Sequence, residues 1–466
     1  MATAEAAPAR GARALPWVLA MVAAVLAFNS WVLDARHFFF ADDWGWLWRA
    51  AFQPWRETIQ WLPTSVYNDR PGGELLIRLM YAFAGLRAGP YNLVWLCLHS
   101  LNCVLFYALL ARVMPPLRAA LAAVLAGCWF STLTAVYWVG AVFDLLAATW
   151  CLSALLAYLA ACAALSARRR WGLAAAALAF HFFAIRTKEL SLALVVVFAA
   201  WDLLLLRNVS WGARGRRLLP HALLTGLFLI VYGRLYSSAS HSLDGSAYAL
   251  SLSADSVLEG IGYYFAQAFY AFTPGSQVTN IGAGFAFAAL VAAVSACSRV
   301  GIAAFLSAGA TCAAVLLLSH QRHPLYLYVP HFFIAAALCS AFPRSRVASA
   351  LLVALVALLI AWPAYTGFLR DARGFVLQKS AYSQSLFYDY ADIMHAAAPP
   401  RVVHVAVAET YFDPFSWGAG GAIQIHHHDP TITADVVALP GLGGIDCRAP
   451  GVLCLREAQG RLRVVR

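Results

Sequence analysis

Residues 38–46 read FFFADDWGW, with two adjacent carboxylates, Asp42 and Asp43, set among aromatics just after the first long apolar run. Charge at a membrane edge is costly, so the pair calls for a structural or a chemical reason. A carboxylate can take the proton of a hydroxyl nucleophile as a general base. It can also cap a helix by accepting its free N–H groups. One cap is ordinary, but two in adjacent positions are not. The stretch DDWGWLWRAAFQPWRETIQWL reads as an amphipathic helix in the interface, rich in tryptophan. Asp42 is favoured as the base, because Asp43 is nearer the helix and better placed to cap it.

Cations occur where a base would need company. AIRTKELSLAL (184–194) puts Arg186, Lys188 and Glu189 between two apolar runs, with little room for a loop. Lysine occurs only at Lys188 and Lys379, so its use here stands out. Ammonium and guanidinium groups both bind phosphate; the bland alternative is an interfacial salt bridge in a helical hairpin. Glu189 reads as the orienting partner of Lys188 or a hairpin brace. Arg70, before Pro71, reads as an anion contact or a carboxylate partner, and HQRHPLYLYVP (320–330) adds His320, Arg322, His323 and Tyr326. Asn92, His99 and Asn102 share one helix face; Asn102 reads as a helix–helix hydrogen bonder, while His99 is open between that and the site. IQIHHHDP (423–430) invites a metal reading, but on a strand adjacent histidines point to opposite faces and cannot ligate one ion. No Walker loop, dinucleotide fingerprint or zinc-type spacing is present. A divalent ion held by the aspartates is an option that nothing in the sequence requires.

The elements that must position these groups follow from composition. Of 466 residues, 62% are hydrophobic and 12% charged, which places the chain among polytopic α-helical membrane proteins. Its net charge of +11 comes from arginines clustered in short loops, the pattern of cytoplasmic loops rather than of a nucleic-acid-binding face. About eleven spans are expected. The first runs from about Pro16 to Leu33, uncleaved and with a cytoplasmic N-terminus; the rest lie near 91–113, 119–138, 143–165, 172–186, 189–206, 218–235, 281–298, 301–318, 325–342 and 347–363. The apolar stretch 257–273 is read as lying in the interface or re-entering. The cytoplasmic loops are too short for a nucleotide-binding domain, so chemistry belongs to the opposite face. Residues 1–365 then form the transmembrane domain. Residues 366–466 form a small α/β domain outside the cytoplasm, with RVVHVAVAE strand-like. Cys447 and Cys454 can pair there if the compartment is oxidising; the other eight cysteines read as buried hydrophobes.

These stretches resemble the polytopic lipid-linked-sugar transferases of the C type (GT-C), and among them the protein O-mannosyltransferases and their bacterial relatives. The resemblance rests on the acidic pair, on RP followed by PYNLVWLCLHSLNCVLFY, and on WVGAVFDLLAA (138–148), TKE and RHPLYLYVP; it covers most of residues 30–335. It implies a catalytic base at Asp42 or Asp43, and a sugar moved from a polyprenyl-phosphate donor to a protein, lipid or glycan hydroxyl by one inverting displacement. The setting it implies is the bacterial inner membrane. Arg70, Lys188 and Arg322 would suit the phosphate leaving group, with His99, Glu189 and Tyr326 as further substrate contacts. The tail lacks the helical repeats of some mannosyltransferases, which leaves sugar and acceptor open. The rivals are a lipid-linked glycan flippase or transporter, expected to carry mid-membrane charges or matched broken helices, and a polysaccharide polymerase or ligase.

Overall fold

The computed structural model describes residues 7–65, 69–129, 132–243, 249–268, 281–318, 320–342, 345–365, 368–395, 397–442 and 445–465. Among these, five helices are long and apolar enough to cross a bilayer: Leu15–Leu33, Ala88–Leu110, Val139–Ala163, Trp211–Ala239 and Arg299–Leu316. Shorter apolar helices occupy Pro116–Gly127, Ile281–Ala296, Pro324–Ser340 and Arg346–Trp362. Together with the Ala167–Thr187 helix they build a helical membrane domain around one large apolar core. Part of the stretch read as interfacial forms the Ala254–Ala268 helix, packed on Ile281–Ala296 and Arg299–Leu316; residues 269–280 lie outside the described set.

Some expected spans take a different form. The run 119–138 is not one helix: Pro116–Gly127 stops at Cys128, a short helix Leu133–Tyr137 follows, and a 3₁₀ turn Val139–Ala141 leads into Val142–Ala163. The break is stabilised from elsewhere in the chain. The Gly127 carbonyl, one of the orphans a helix end leaves, accepts Asn29 Nδ2 at 3.0 Å and His99 Nε2 at 2.9 Å. Close packing fixes the same point, since a Cβ on Gly127 would lie 2.6 Å from both Cys103 Sγ and Val25 Cγ2. The run 189–206 likewise opens as a 3₁₀ turn, Glu189–Ala193, before the Leu194–Leu205 helix. Asn102 does bind a neighbouring helix: its Nδ2 donates to the Leu145 carbonyl at 2.8 Å and to the Tyr328 hydroxyl at 3.1 Å.

After the first span, the loop folds into three helices, Asp43–Phe52, Trp55–Thr58 and Pro71–Ala84. Pro71 begins the last of these, where its missing N–H costs nothing. Arg49 pairs with Glu74 at 3.0 Å, and the Arg78 guanidinium donates to the Arg49 and Gln53 carbonyls. These contacts lock Asp43–Phe52 onto Pro71–Ala84. Arg186 ties the loop to the membrane domain through Asp69, at 2.7 Å, and the Gln60 carbonyl.

Beyond the membrane domain, a long helix, Phe368–Met394, carries a four-stranded sheet of order β2-β1-β3-β4. Strand β1 (Val402–Val407) is central and parallel to both β2 (Thr433–Ala438) and β3 (Val452–Ala458); β4 (Arg461–Val464) pairs antiparallel with β3. Its near-continuous apolar sequence, VVHVAV, suits a strand flanked on both sides. Cys447 and Cys454 form a disulfide. The triple-histidine stretch is helical rather than extended: Gly421–His427 is a short helix after Gly420, whose φ of +93° allows the turn that starts it. It packs on Asp43–Phe52, so the C-terminal unit touches the acidic loop directly.

Candidate active site

The two aspartates have different environments. Asp43 is fully buried and begins the helix; the Gly140 N–H donates to its Oδ1 at 2.6 Å and the Phe40 N–H to its Oδ2 at 3.2 Å. It thus ties the acidic loop to the Val139–Ala141 turn. Asp42 holds the N-cap position without a side-chain cap bond, which corrects the expectation that Asp43 caps the helix. Asp42 Oδ1 is buried and accepts no hydrogen bond. Gly140 lets the backbone come this close: a Cβ there would lie 2.9 Å from that oxygen. Ala41, with φ +52°, supplies the bend that presents the pair.

Burial raises the Asp42 carboxyl to about 6, against the opposing pull of the Trp46 and Trp138 indoles and the Arg70 charge. Asp43 is pushed well above the usual carboxylate range by burial and by the neighbouring Asp42; its two backbone donors act the other way.

Asp42 lines a cleft of about 70 Å³ whose wall includes Trp46, Arg70, Gly140, Asp144, Lys188 and Tyr326. Two ion pairs line it. Arg70 grips Glu189 with both arms, Nη2–Oε1 at 2.7 Å and Nε–Oε2 at 3.1 Å, and lies over the Phe143 ring. Lys188 Nζ lies 2.5 Å from Asp144 and 5.1 Å from the centre of the Tyr326 ring. Lys188 is therefore partnered by Asp144, not by Glu189, whose partner is Arg70. The cause is local: Lys188 is extended (φ −155°, ψ 129°), so successive side chains diverge. Asp144, in the first turn of Val142–Ala163, went unselected in the sequence; its signal was a charge within WVGAVFDLLAA.

The cleft thus gathers Asp42, Arg70, Lys188 and Tyr326, with Asp43 and Glu189 one layer behind. Arg322 is not on its wall. That guanidinium pairs with Glu259 at 2.8 Å on the Ala254–Ala268 helix, while its neighbours Gln321 and His323 face the cleft. His99 is also elsewhere, fully buried between Tyr328 and Gly127 as part of the helix packing. Asp144, Lys188 and Tyr326 form a partition, for behind them lies a small apolar pocket of about 20 Å³ lined by Ala147, Leu190, Leu194, Val329 and Phe333. Both Asp43 oxygens already accept backbone donors, and among the described residues no three His, Cys, Asp or Glu side chains converge on one point. A divalent ion would find one available carboxylate here, not two.

The fold is shared with the solved structures of two membrane proteins. In structure the chain is similar to ArnT from Cupriavidus metallidurans in the apo state, with a TM-score of 0.52 and 16% identity over 90% of this chain and 85% of that one. The same enzyme bound to undecaprenyl phosphate aligns over 95% of this chain and 93% of that one, at 16% identity and a TM-score of 0.51. The Archaeoglobus fulgidus oligosaccharyltransferase tethered with an acceptor peptide gives 0.50 at 13% identity, over 91% of this chain and 64% of that one. The sequence matches no described protein family and no curated protein.

Proposed function

We propose that the chain is an integral membrane glycosyltransferase that moves a sugar from a polyprenyl-phosphate donor to an acceptor hydroxyl outside the cytoplasm. One observation carries this reading: Asp42, one of whose oxygens accepts no hydrogen bond, lines a single cleft with Arg70 and Lys188. A base for a hydroxyl and cations for a phosphate are what such a transfer needs. The neighbour that binds undecaprenyl phosphate supports the donor class.

In the proposed reaction Asp42 accepts the acceptor's O–H proton as that oxygen bonds to the anomeric carbon. The bond from that carbon to the phosphate oxygen breaks, and its electron pair leaves with the polyprenyl phosphate. The anomeric centre inverts. Arg70 and Lys188 take up the charge growing on the phosphate, while Glu189 and Asp144 hold them in place. Asp43 is a positioning residue, fixing the loop through Phe40 and Gly140. Residues 1–365 form the transferase core, and 366–466 brace its acidic loop. The site faces the outer side of a bacterial inner membrane; the Cys447–Cys454 disulfide supports an oxidising compartment. The test is a transfer assay with purified protein and a panel of undecaprenyl-phosphate sugars against cell-envelope acceptors. A new glycosidic bond, lost in Asp42→Asn, is the expected result; lipid-linked sugar moved across the bilayer with no bond formed would favour a flippase.

A further inference from the structure

A second cleft opens where the first span ends, between Arg36 and the opening turns of the Phe368–Met394 helix. Arg36, Arg370, Arg373, Leu377 and Gln378 line it. Arg373 is its anchor. Its Nη2 donates to the Phe28 carbonyl at 2.7 Å, and the guanidinium lies over the Phe28 and Trp31 rings at 5.5 and 5.4 Å. Its Nε is buried without an acceptor, and among the described residues no carboxylate pairs with it. Arg36 and Arg370 stand at the rim with side chains 67% and 84% exposed; Arg36 forks onto Asp34 at 2.8 and 3.0 Å, and Arg370 meets Asp371 at 3.1 Å. The single-bonded, solvated Arg370 pair contributes little, while the Arg36 guanidinium keeps one nitrogen outside its fork for a further acceptor. Three guanidinium groups therefore face two carboxylates, and the deepest of the three is the one left uncompensated.

A partly buried cation with no counter-charge is costly, and an anion that enters the cleft relieves that cost. Guanidinium forks favour phosphate, which accepts two parallel N–H bonds from each. The height of the cleft selects the source: Phe28 and Trp31 close the first span, so the cleft lies at bilayer level, in reach of lipid head groups.

We propose that this cleft binds the phosphate of a lipid head group, at a site separate from the Asp42 cleft. Its position gives it a consequence for the reaction. Val376, three residues along from Arg373, packs on Phe40 and Ala41, so a lipid bound here steadies the loop that presents Asp42. The phosphate comes either from an anionic phospholipid of the bilayer or from a phosphorylated lipid substrate.

Native mass spectrometry of the full-length protein, titrated with phosphatidylglycerol, undecaprenyl phosphate, phosphatidylcholine or inorganic phosphate, distinguishes these. The probe variant is the Arg36→Gln/Arg370→Gln double, which removes two exposed rim charges and leaves the Arg373 contacts intact. The expected result is binding of a phosphate lipid that weakens about tenfold or more in the double variant, since each lost charged hydrogen bond is worth at least that. If the affected ligand is phosphatidylglycerol, the site belongs to a structural lipid; if undecaprenyl phosphate, to a substrate. Arg373→Lys, which keeps charge but loses the fork, should also weaken it. Unchanged binding in the double variant, binding of phosphatidylcholine equal to phosphatidylglycerol, or inorganic phosphate bound as well as any lipid would overturn the proposal. The readout is binding alone, so it stands whether or not Asp42 proves to be the base.

Discussion

Replacing Asp42 by asparagine separates the two roles open to this residue, because they predict opposite effects on stability. Burial raises its carboxyl from 3.8 to about 6. A carboxylate raised in this way destabilises the fold once ionised: the stability is fully present at low pH and is lost as pH rises from about 4 to about 6. Each unit of difference corresponds to about 1.4 kcal/mol, so about 2 units set an upper bound near 3 kcal/mol at neutral pH. Asn cannot ionise and escapes that cost, and no cap bond is lost, since Asp42 makes none. The variant should therefore insert normally, unfold at the same or a higher temperature, and bind donor. Transfer should nevertheless fall roughly 10²–10⁴-fold, the range for removal of a general base. In the wild type, turnover should fall about tenfold per unit as pH drops below about 6, and this limb should vanish in the residual activity of the variant. The assay is radiolabelled sugar transfer by detergent-purified protein across pH 4.5–8, beside a thermal unfolding series. Near-normal turnover in Asp42→Asn would refute the reasoning, as would a loss of activity that follows a loss of thermal stability.

Asp43→Ala should do the reverse and lower the unfolding temperature. It leaves the Phe40 and Gly140 N–H groups without acceptors, at about 1–3 kcal/mol each; an unchanged melt would remove its positioning role. Lys188→Arg should cut transfer about tenfold or more and raise the donor KM, because a planar fork does not fit where a compact ammonium sits between Asp144 and Tyr326. Full activity there would leave only a charge requirement. Gly421→Val should lower kcat while leaving membrane insertion intact, since a Cβ at that position already comes within 3.0 Å of the Trp44 carbonyl. Wild-type turnover in that variant would show that the C-terminal unit does not brace the acidic loop.

How much of this was legible in the sequence differs from one feature to the next, and the differences have physical reasons. The membrane class and the acidic pair were legible because both are local: apolar runs are read residue by residue, and two carboxylates beside a span are conspicuous wherever they fold. The pairing of the cations was not, because it is set by separation in space. Arg70 and Glu189 are 119 residues apart, and Lys188 and Asp144 are 44 apart; adjacency in the chain favoured Lys188 with Glu189, and one extended residue defeats it. The broken run at Cys128 escaped for a related reason. Hydropathy counts apolar side chains, whereas this helix ends where Asn29 and His99, from two other helices, bind the Gly127 carbonyl. That break is also what makes the site, for it delivers Gly140 to the aspartates and Asp144 to Lys188. His99 thus acts on the cleft without touching it: it helps end one helix so that the next can begin at the acidic loop. The C-terminal unit enters by the same logic. Trp44 donates to Ser383 on the Phe368–Met394 helix at 3.1 Å, and Trp48 to Gln424. Both indoles lie on the helix that begins at Asp43, so two tryptophans that read as membrane-interface anchors are instead the handles by which the C-terminal unit holds the loop.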